Sequence, residues 1–178
     1  ELLAELVKLG KPVVLLNFAG RPTVLSWEKK HVPAIMNVWF GGSEMGDALA
    51  DVLFGDKVPS GKLTTSMPKT TGQEPLYYNH LNTGRPVPDD NAHFAKYASN
   101  ALDVSNGPLY PFGYGLSYTT FAYDNLKLSQ DKMHIDGEKI TATINVKNTG
   151  NYDADEVVQL YIRDLVASIS RPVKELKG

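Results

Sequence analysis

The sequence predicts an α/β region followed by an all-β region. Two observations carry this. Apolar runs alternate with segments of helical period through the first third of the chain, and a strict two-residue alternation sets in after Phe121. Between them lies a long stretch dominated by Gly, Pro, Asn, Asp and Thr, without period.

In chain order, Leu2, Leu3, Leu6 and Val7 make one helical face that ends at Gly10. Two glutamates interrupt this segment, and it has neither a basic leader nor a cleavage site, so it reads as an amphipathic helix rather than a signal peptide. With no initiating methionine, Glu1 is expected to be an internal point in a longer polypeptide. Pro12 opens PVVLLNFAG, a continuous apolar run of the kind buried on both faces of a parallel sheet. Arg21-Pro22 is expected to start a short helix through Trp27 to Lys30, and residues 34–40 to form the next strand.

The stretch from Trp39 to Leu63 is the most organised. Gly41-Gly42 permits a sharp turn, Ser43 offers a cap, and Glu44 and Asp47 sit where a helix dipole favours negative charge. Met45, Ala48, Leu49, Val52 and Leu53 share one face, Gly55 stops the helix, and Val58 to Gly61 is a turn into an extended segment reaching Met67. Helix and strand thus alternate three times, which predicts parallel strands with right-handed crossovers. A sheet of two or three strands leaves an edge open, so strands before Glu1 are expected to belong to it.

From Pro68 to Asn106 a long loop follows, of the sort that is functional or connects domains. The all-β part then reads as strands at Tyr123 to Leu128, Lys139 to Lys147 and Asp155 to Asp164. In the second, Ile140, Ala142, Ile144 and Val146 should face inward against Thr141, Thr143 and Asn145. Asn148 to Asn151 is a turn.

Composition excludes several classes. A chain of 178 residues with net charge −2 and no basic block does not suit nucleic acid as a principal partner. Without cysteine there are no disulfides or thiolate metal sites. No apolar run approaches the roughly 18–20 residues of a membrane span. Neither a phosphate loop, a dinucleotide fingerprint nor a Ser-His-Asp arrangement is present, and no cofactor is expected.

Several phrases resemble glycoside hydrolase family 3, the β-glucosidase family. They are GGSEMGDALADVLFGDKVPSGKL from Gly41, with Met45 at a usual glycine, LYYNHLNTGRP from Leu76, and PLYPFGYGLSYTTF from Pro108, the most specific. Val157 to Tyr161 and Ser170 to Gly178 resemble its fibronectin type III-like domain. The resemblance implies the C-terminal part of an α/β sandwich at 1–67, a loop and connector at 68–122, and the first part of a fibronectin type III-like β-sandwich at 123–178. Such a sandwich takes about seven strands and roughly 100 residues, so the 56 from Tyr123 onward leave it incomplete and prone to self-association.

The implied activity is that of a retaining exo-β-glycosidase releasing terminal β-linked glucose from oligosaccharides or glycosides, in a periplasmic or secreted enzyme. Such chemistry needs two carboxyl groups about 5–5.5 Å apart. In the family the nucleophilic aspartate lies in an N-terminal barrel and the acid/base glutamate on a loop upstream of the matching region. No catalytic residue is therefore assigned, and the chain alone is expected to be inactive, with the barrel domain as its missing partner. The alternative is a non-catalytic carbohydrate-binding or scaffold module.

Each candidate has two readings. Glu44 follows a glycine turn, but its motif position is that of a helix start. Asp47 and Asp51 are spaced for one helix face, and solvent exposure or interface hydrogen bonding is the better reading. His31, His80, His93 and His134 show no metal-ligand spacing. Asn17 with Gly20-Arg21-Pro22 ends a strand where α/β sheets place ligand groups, while Arg21 also suits a salt bridge to a neighbouring domain. Trp39 and Phe40 suit the core or a contact with the barrel. Tyr77, Tyr78, His80, Asn82 and Arg85 combine aromatic faces with hydrogen-bonding groups of the kind sugars use. They are the candidate substrate-binding residues, with surface packing as the other reading. Tyr110, Phe112, Tyr114 and Tyr118 offer a sugar platform or, preferably, a tightly packed connector.

Overall fold

A computed structural model describes residues 1–134 and 136–178. Its elements are helix α1 (Leu2–Lys8), strand β1 (Val14–Asn17), helix α2 (Glu28–His31), strand β2 (Ala34–Asn37), helix α3 (Met45–Phe54), a 3-10 turn (Thr71–Gln73), and strands β3 (Phe121–Leu128), β4 (Ala142–Asn148), β5 (Tyr161–Ile162) and β6 (Glu175–Leu176). Contacts divide the chain into two compact units. The first comprises Glu1–Gly46, Lys62–Tyr114 and Val158–Gly178, and the second Asp47–Gly61 and Gly115–Val157.

In the first unit β1 and β2 are parallel, paired from Val14–Ala34 to Asn17–Asn37. The apolar runs therefore form adjacent strands, as expected of a crossover unit. The expectation of burial on both faces fails: Val14 is 51% exposed and the rest of β1 half-buried, because two strands cover little of one another's surface. The strand expected over 34–40 ends at Asn37, since Trp39 adopts φ +57°, incompatible with an extended ladder.

The helix expected from Arg21 through Trp27 to Lys30 is confined to Glu28–His31. Side-chain bonds hold the segment before it out of helical form. Asn17 Nδ2 donates to Thr23 Oγ1 at 3.0 Å, and Ser26 Oγ donates to the Lys69 carbonyl at 2.7 Å. No third parallel strand forms up to Met67. Instead Met67 pairs antiparallel with Tyr110, its N–H donating to the Tyr110 carbonyl at 2.8 Å and its carbonyl accepting the Leu109 N–H at 2.8 Å. Around this bridge sits the small core, Leu25, Val32, Ser66, Met67 and Pro68.

Helix α3 has the expected stop, but its face is only partly covered: Met45, Leu49 and Val52 are half-buried, Ala48 and Leu53 are exposed, and Asp51 is half-buried rather than exposed. Gly55 is at φ +89°, a conformation glycine alone takes without strain. Met45 N–H donates to the Gly42 carbonyl at 3.2 Å, so the glycine turn itself supplies a bond that Ser43 was expected to make. In the second unit, Lys57 N–H returns to the Asp51 carbonyl at 3.0 Å and the Tyr118 hydroxyl donates to the Val52 carbonyl at 2.7 Å. Two of the carbonyls left free at the helix end are thereby used.

Strands β3 and β4 are antiparallel, with a register shift between Asp124 and Lys127 where Asn125 takes φ +54°. The strand expected at Lys139 starts at Ala142. Its inward face is not buried: Ile140, Ile144 and Val146 are 36%, 37% and 39% exposed, because no second layer covers the ribbon among the described residues. The strand expected over Asp155 to Asp164 shrinks to Tyr161–Ile162. Beside it Leu160 stays joined to the residues after β6, its N–H donating to the Gly178 carbonyl at 2.6 Å and its carbonyl accepting the Lys177 N–H at 2.8 Å, while the Gln159 side chain turns to the Gly113 carbonyl at 3.0 Å.

Candidate functional site

The loop after Met67 is closed at its base before it reaches the candidate sugar-binding residues. Lys69 N–H donates to Gln73 Oε1 at 2.6 Å, and Lys69 Nζ to Ser105 Oγ at 2.5 Å. Gln73 Nε2 lies within bonding distance of the carbonyls of Ser105 at 2.9 Å, and of Asn106 and Gly107, both at 3.3 Å. One amide with two N–H groups thus faces three consecutive carbonyls and draws them together. Burial, and then the neighbouring Lys29 charge, lower the Lys69 pKa, with Asp90 opposing. Lys29 Nζ donates to the Leu109 carbonyl at 3.2 Å and lies 4.7 Å from the Tyr110 ring centre.

From this base the chain runs to the five candidates. Tyr77 is 65% exposed, and His80, Asn82 and Arg85 are exposed with it. Tyr78 differs. It is half-buried, stacks on Phe112 with ring centres 4.2 Å apart, and meets Tyr161 edge-on at 6.0 Å. His80 Nδ1 lies 3.0 Å from the Leu81 carbonyl, and the Arg85 carbonyl accepts the Ser99 N–H at 2.7 Å. The structure therefore gathers Tyr77, His80, Asn82 and Arg85 on one exposed loop and turns Tyr78 into the protein.

The other aromatics are engaged within their own units. Tyr110 and Tyr114 stack at 5.2 Å, and burial, then Tyr114, raise the Tyr110 pKa. Phe40 is 80% exposed, so it is not a core residue of this chain, while Trp39 is half-buried. Glu44 is exposed and immediately precedes α3, the place of a helix-start residue. His31 stacks on Trp27 at 4.4 Å with Nδ1 2.7 Å from the Trp27 carbonyl. Among the described residues no group of three or more His, Asp or Glu side chains is placed to hold a metal ion, and no helix is long and apolar enough to cross a membrane.

One polar pair at the strand ends went unread in the sequence. Asn17 Nδ2 donates to Asn37 Oδ1 at 2.7 Å across the carboxyl ends of β1 and β2, leaving Asn37 Nδ2 buried without a partner. The signal was present, since each asparagine is the one polar residue inside an apolar run; only the parallel register brings them together.

The glycosyl hydrolase family 3 C-terminal domain matches residues 1–118, and the fibronectin type III-like domain matches residues 156–178. The chain belongs to glycosyl hydrolase family 3. It is 52% identical over 178 residues to a periplasmic β-glucosidase of Salmonella typhimurium and 42% identical over 182 to a β-xylosidase of Formosa agariphila, covering all of this chain and 23% of each relative. Among solved structures, a mutant β-glucosidase from Listeria innocua in complex with laminaribiose superimposes with TM-score 0.90 at 45% identity, over 97% of this chain and 24% of that one. The chain spans about a quarter of the length of the relatives it matches.

Proposed function

We propose that this chain is the C-terminal part of a retaining exo-β-glycosidase of β-glucosidase type, which removes terminal β-linked glucose from oligosaccharides or glycosides. The single observation carrying this reading is the 52% identity to a periplasmic β-glucosidase along the whole chain, including the Leu76 to Pro86 loop. In this reading both catalytic carboxyl groups come from the rest of the enzyme, with the nucleophile in a barrel domain. This chain contributes the loop carrying Tyr77, Tyr78, His80, Asn82 and Arg85 to an outer sugar subsite, with Tyr78 supporting it from the protein side. The enzyme works in the periplasm or outside the cell.

We place the α/β sandwich part at 1–67, the connector at 68–122 and the fibronectin type III-like sandwich from 123. The apolar side chains left exposed on β3 and β4 support self-association when the chain is isolated.

The test compares hydrolysis of an aryl β-glucoside and an aryl β-xyloside by the 178-residue chain and by the full-length enzyme that carries it. Turnover of the glucoside by the longer protein alone is the expected result. Faster turnover of the xyloside would replace glucose by xylose. Turnover by the short chain, lost in Glu44→Gln, would overturn the placement of the acid/base.

A second reading, a carbohydrate-binding module without catalysis, draws on the exposed rings of Tyr77 and Tyr97, 65% and 74% accessible. Saturable binding of laminaribiose by the isolated chain would favour it.

A further inference from the structure

Tyr77 and Tyr78 are adjacent in sequence and opposite in environment, and the difference traces to the last twenty residues of the chain. The backbone beyond Tyr78 is bridged antiparallel to the C-terminal segment at Leu81 and Pro172, and the Val173 N–H donates to the His80 carbonyl at 2.9 Å. Tyr78 itself is enclosed by Phe112 on its face and Tyr161 at its edge, and its hydroxyl accepts the Leu176 N–H at 3.4 Å. Tyr161 is fixed in turn: its hydroxyl donates to Gln159 Oε1 at 2.6 Å, Gln159 Nε2 donates to the Gly113 carbonyl at 3.0 Å, and Lys174 Nζ sits 5.6 Å from its ring centre.

Gly113 permits this approach. It lies at φ +79°, and a Cβ there would collide with the Gln159 side chain and approach the Tyr161 hydroxyl at 2.9 Å. All of these residues belong to the first unit.

We propose that the C-terminal segment Tyr161–Leu176 is the positioning element of the Tyr77–Arg85 loop, with Tyr78 as positioning residue and Tyr77 as the specificity-determining aromatic for the sugar beyond the cleaved bond. The inference rests on the outer-subsite reading of that loop. A sugar face stacks on a ring only if the ring is held still. A free loop must be ordered on binding, and the cost falls on affinity for the outer sugar rather than on bond cleavage. Tyr78 supplies the restraint from the protein side and leaves Tyr77 to the solvent side. The ligand class is a β-linked disaccharide or longer oligosaccharide, whose second sugar reaches the loop; an aryl glucoside has none.

The full-length enzyme, carrying Tyr77→Ala, Tyr78→Ala or Tyr78→Phe, is assayed with laminaribiose and with an aryl β-glucoside. Exchange of the Val173 amide is followed in the same samples. Both alanine variants should raise KM for laminaribiose about five- to tenfold with kcat and the aryl glucoside constants within about twofold. Only Tyr78→Ala should also speed Val173 exchange, by about tenfold or more. Tyr78→Phe, which keeps the stack and loses only the acceptor for the Leu176 N–H, should move both readouts in the same direction as Tyr78→Ala but by less, about two- to threefold.

Unchanged Val173 exchange in Tyr78→Ala overturns the tether. Equal KM changes for the two substrates, or none, overturn the role of the loop in outer-sugar choice. A wild-type enzyme that cleaves neither substrate sinks the proposed function instead, and exchange alone then decides the tether.

Discussion

The bridge at Met67 and the β3–β4 ribbon hold their backbones together in the same way and their side chains in opposite ways. At Met67 a single antiparallel bridge surrounds a side chain that is 1% exposed. Along the ribbon six register pairs are made, yet Tyr123, Leu126, Leu128, Ile144 and Val146 all remain exposed. Backbone pairing and burial are separate contributions. Pairing satisfies polar groups, whereas most net stabilisation comes from apolar surface removed from water. The short bridge should therefore matter more to stability than the long ribbon.

Substitutions test this contrast in descending order of effect. Met67→Ala should cost about 2–5 kcal/mol in urea unfolding, the range for emptying a well-packed apolar site. A loss under about 1 kcal/mol would mean the site collapses freely. Gly113→Ala comes next, at about 1–3 kcal/mol, because the side chain needs a left-handed backbone and meets Gln159. Restoration of stability by a second change, Gln159→Ala, would attribute part of the loss to that collision.

Tyr123 sharpens the ribbon side. Its hydroxyl donates to Glu156 Oε1 at 2.7 Å, and burial, then that bond and the carboxylate charge, push its pKa up to about 12. A raised tyrosine pKa means the folded protein holds the proton longer than the unfolded chain. The contribution is complete below the unfolded value of about 10 and is lost as pH rises from there through about 12. Stability measured across that window should fall less steeply in Tyr123→Phe than in wild type. Val146→Lys should have the smallest effect on unfolding, within about 0.5 kcal/mol, because the site is already open to water. It should also lower light scattering by the isolated chain if the ribbon drives self-association. A stability loss above about 2 kcal/mol would show instead that this face is covered.

Much of the fold was legible where one local rule decides. The apolar runs opening at Pro12 and Ala34 announced β1 and β2 though not where they end, the spacing from Met45 to Leu53 with Gly55 behind it announced α3, and alternation announced β3 and β4. What failed was non-local. The segment before α2 is held by Asn17 reaching Thr23 and by Ser26 reaching Lys69, and Gln159, ahead of β5, gives its side-chain amide to Gly113. In the loop, four of the five candidate residues are exposed, as a sugar contact requires. No pattern around Tyr78 could show that it stacks on Phe112 and Tyr161, because both partners are distant in sequence. Alternation also fixes which side chains share a face without saying whether anything covers that face, which is why the inward face of β4 was misread.

The tie between Tyr78 and Leu176 spans 98 residues. A polypeptide leaving the ribosome at about 5–20 residues per second would expose Tyr78 for several seconds before its partner strand emerged. Helix α3 has all it needs for its own turns long before then. Phe112 emerges part-way through that interval, but the loop lacks its antiparallel bridge and the edge contact with Tyr161 until the C-terminal segment follows. Vectorial synthesis thus leaves the first unit open until its C-terminal segment has emerged, although its Glu1–Gly46 part is made before any of the second unit.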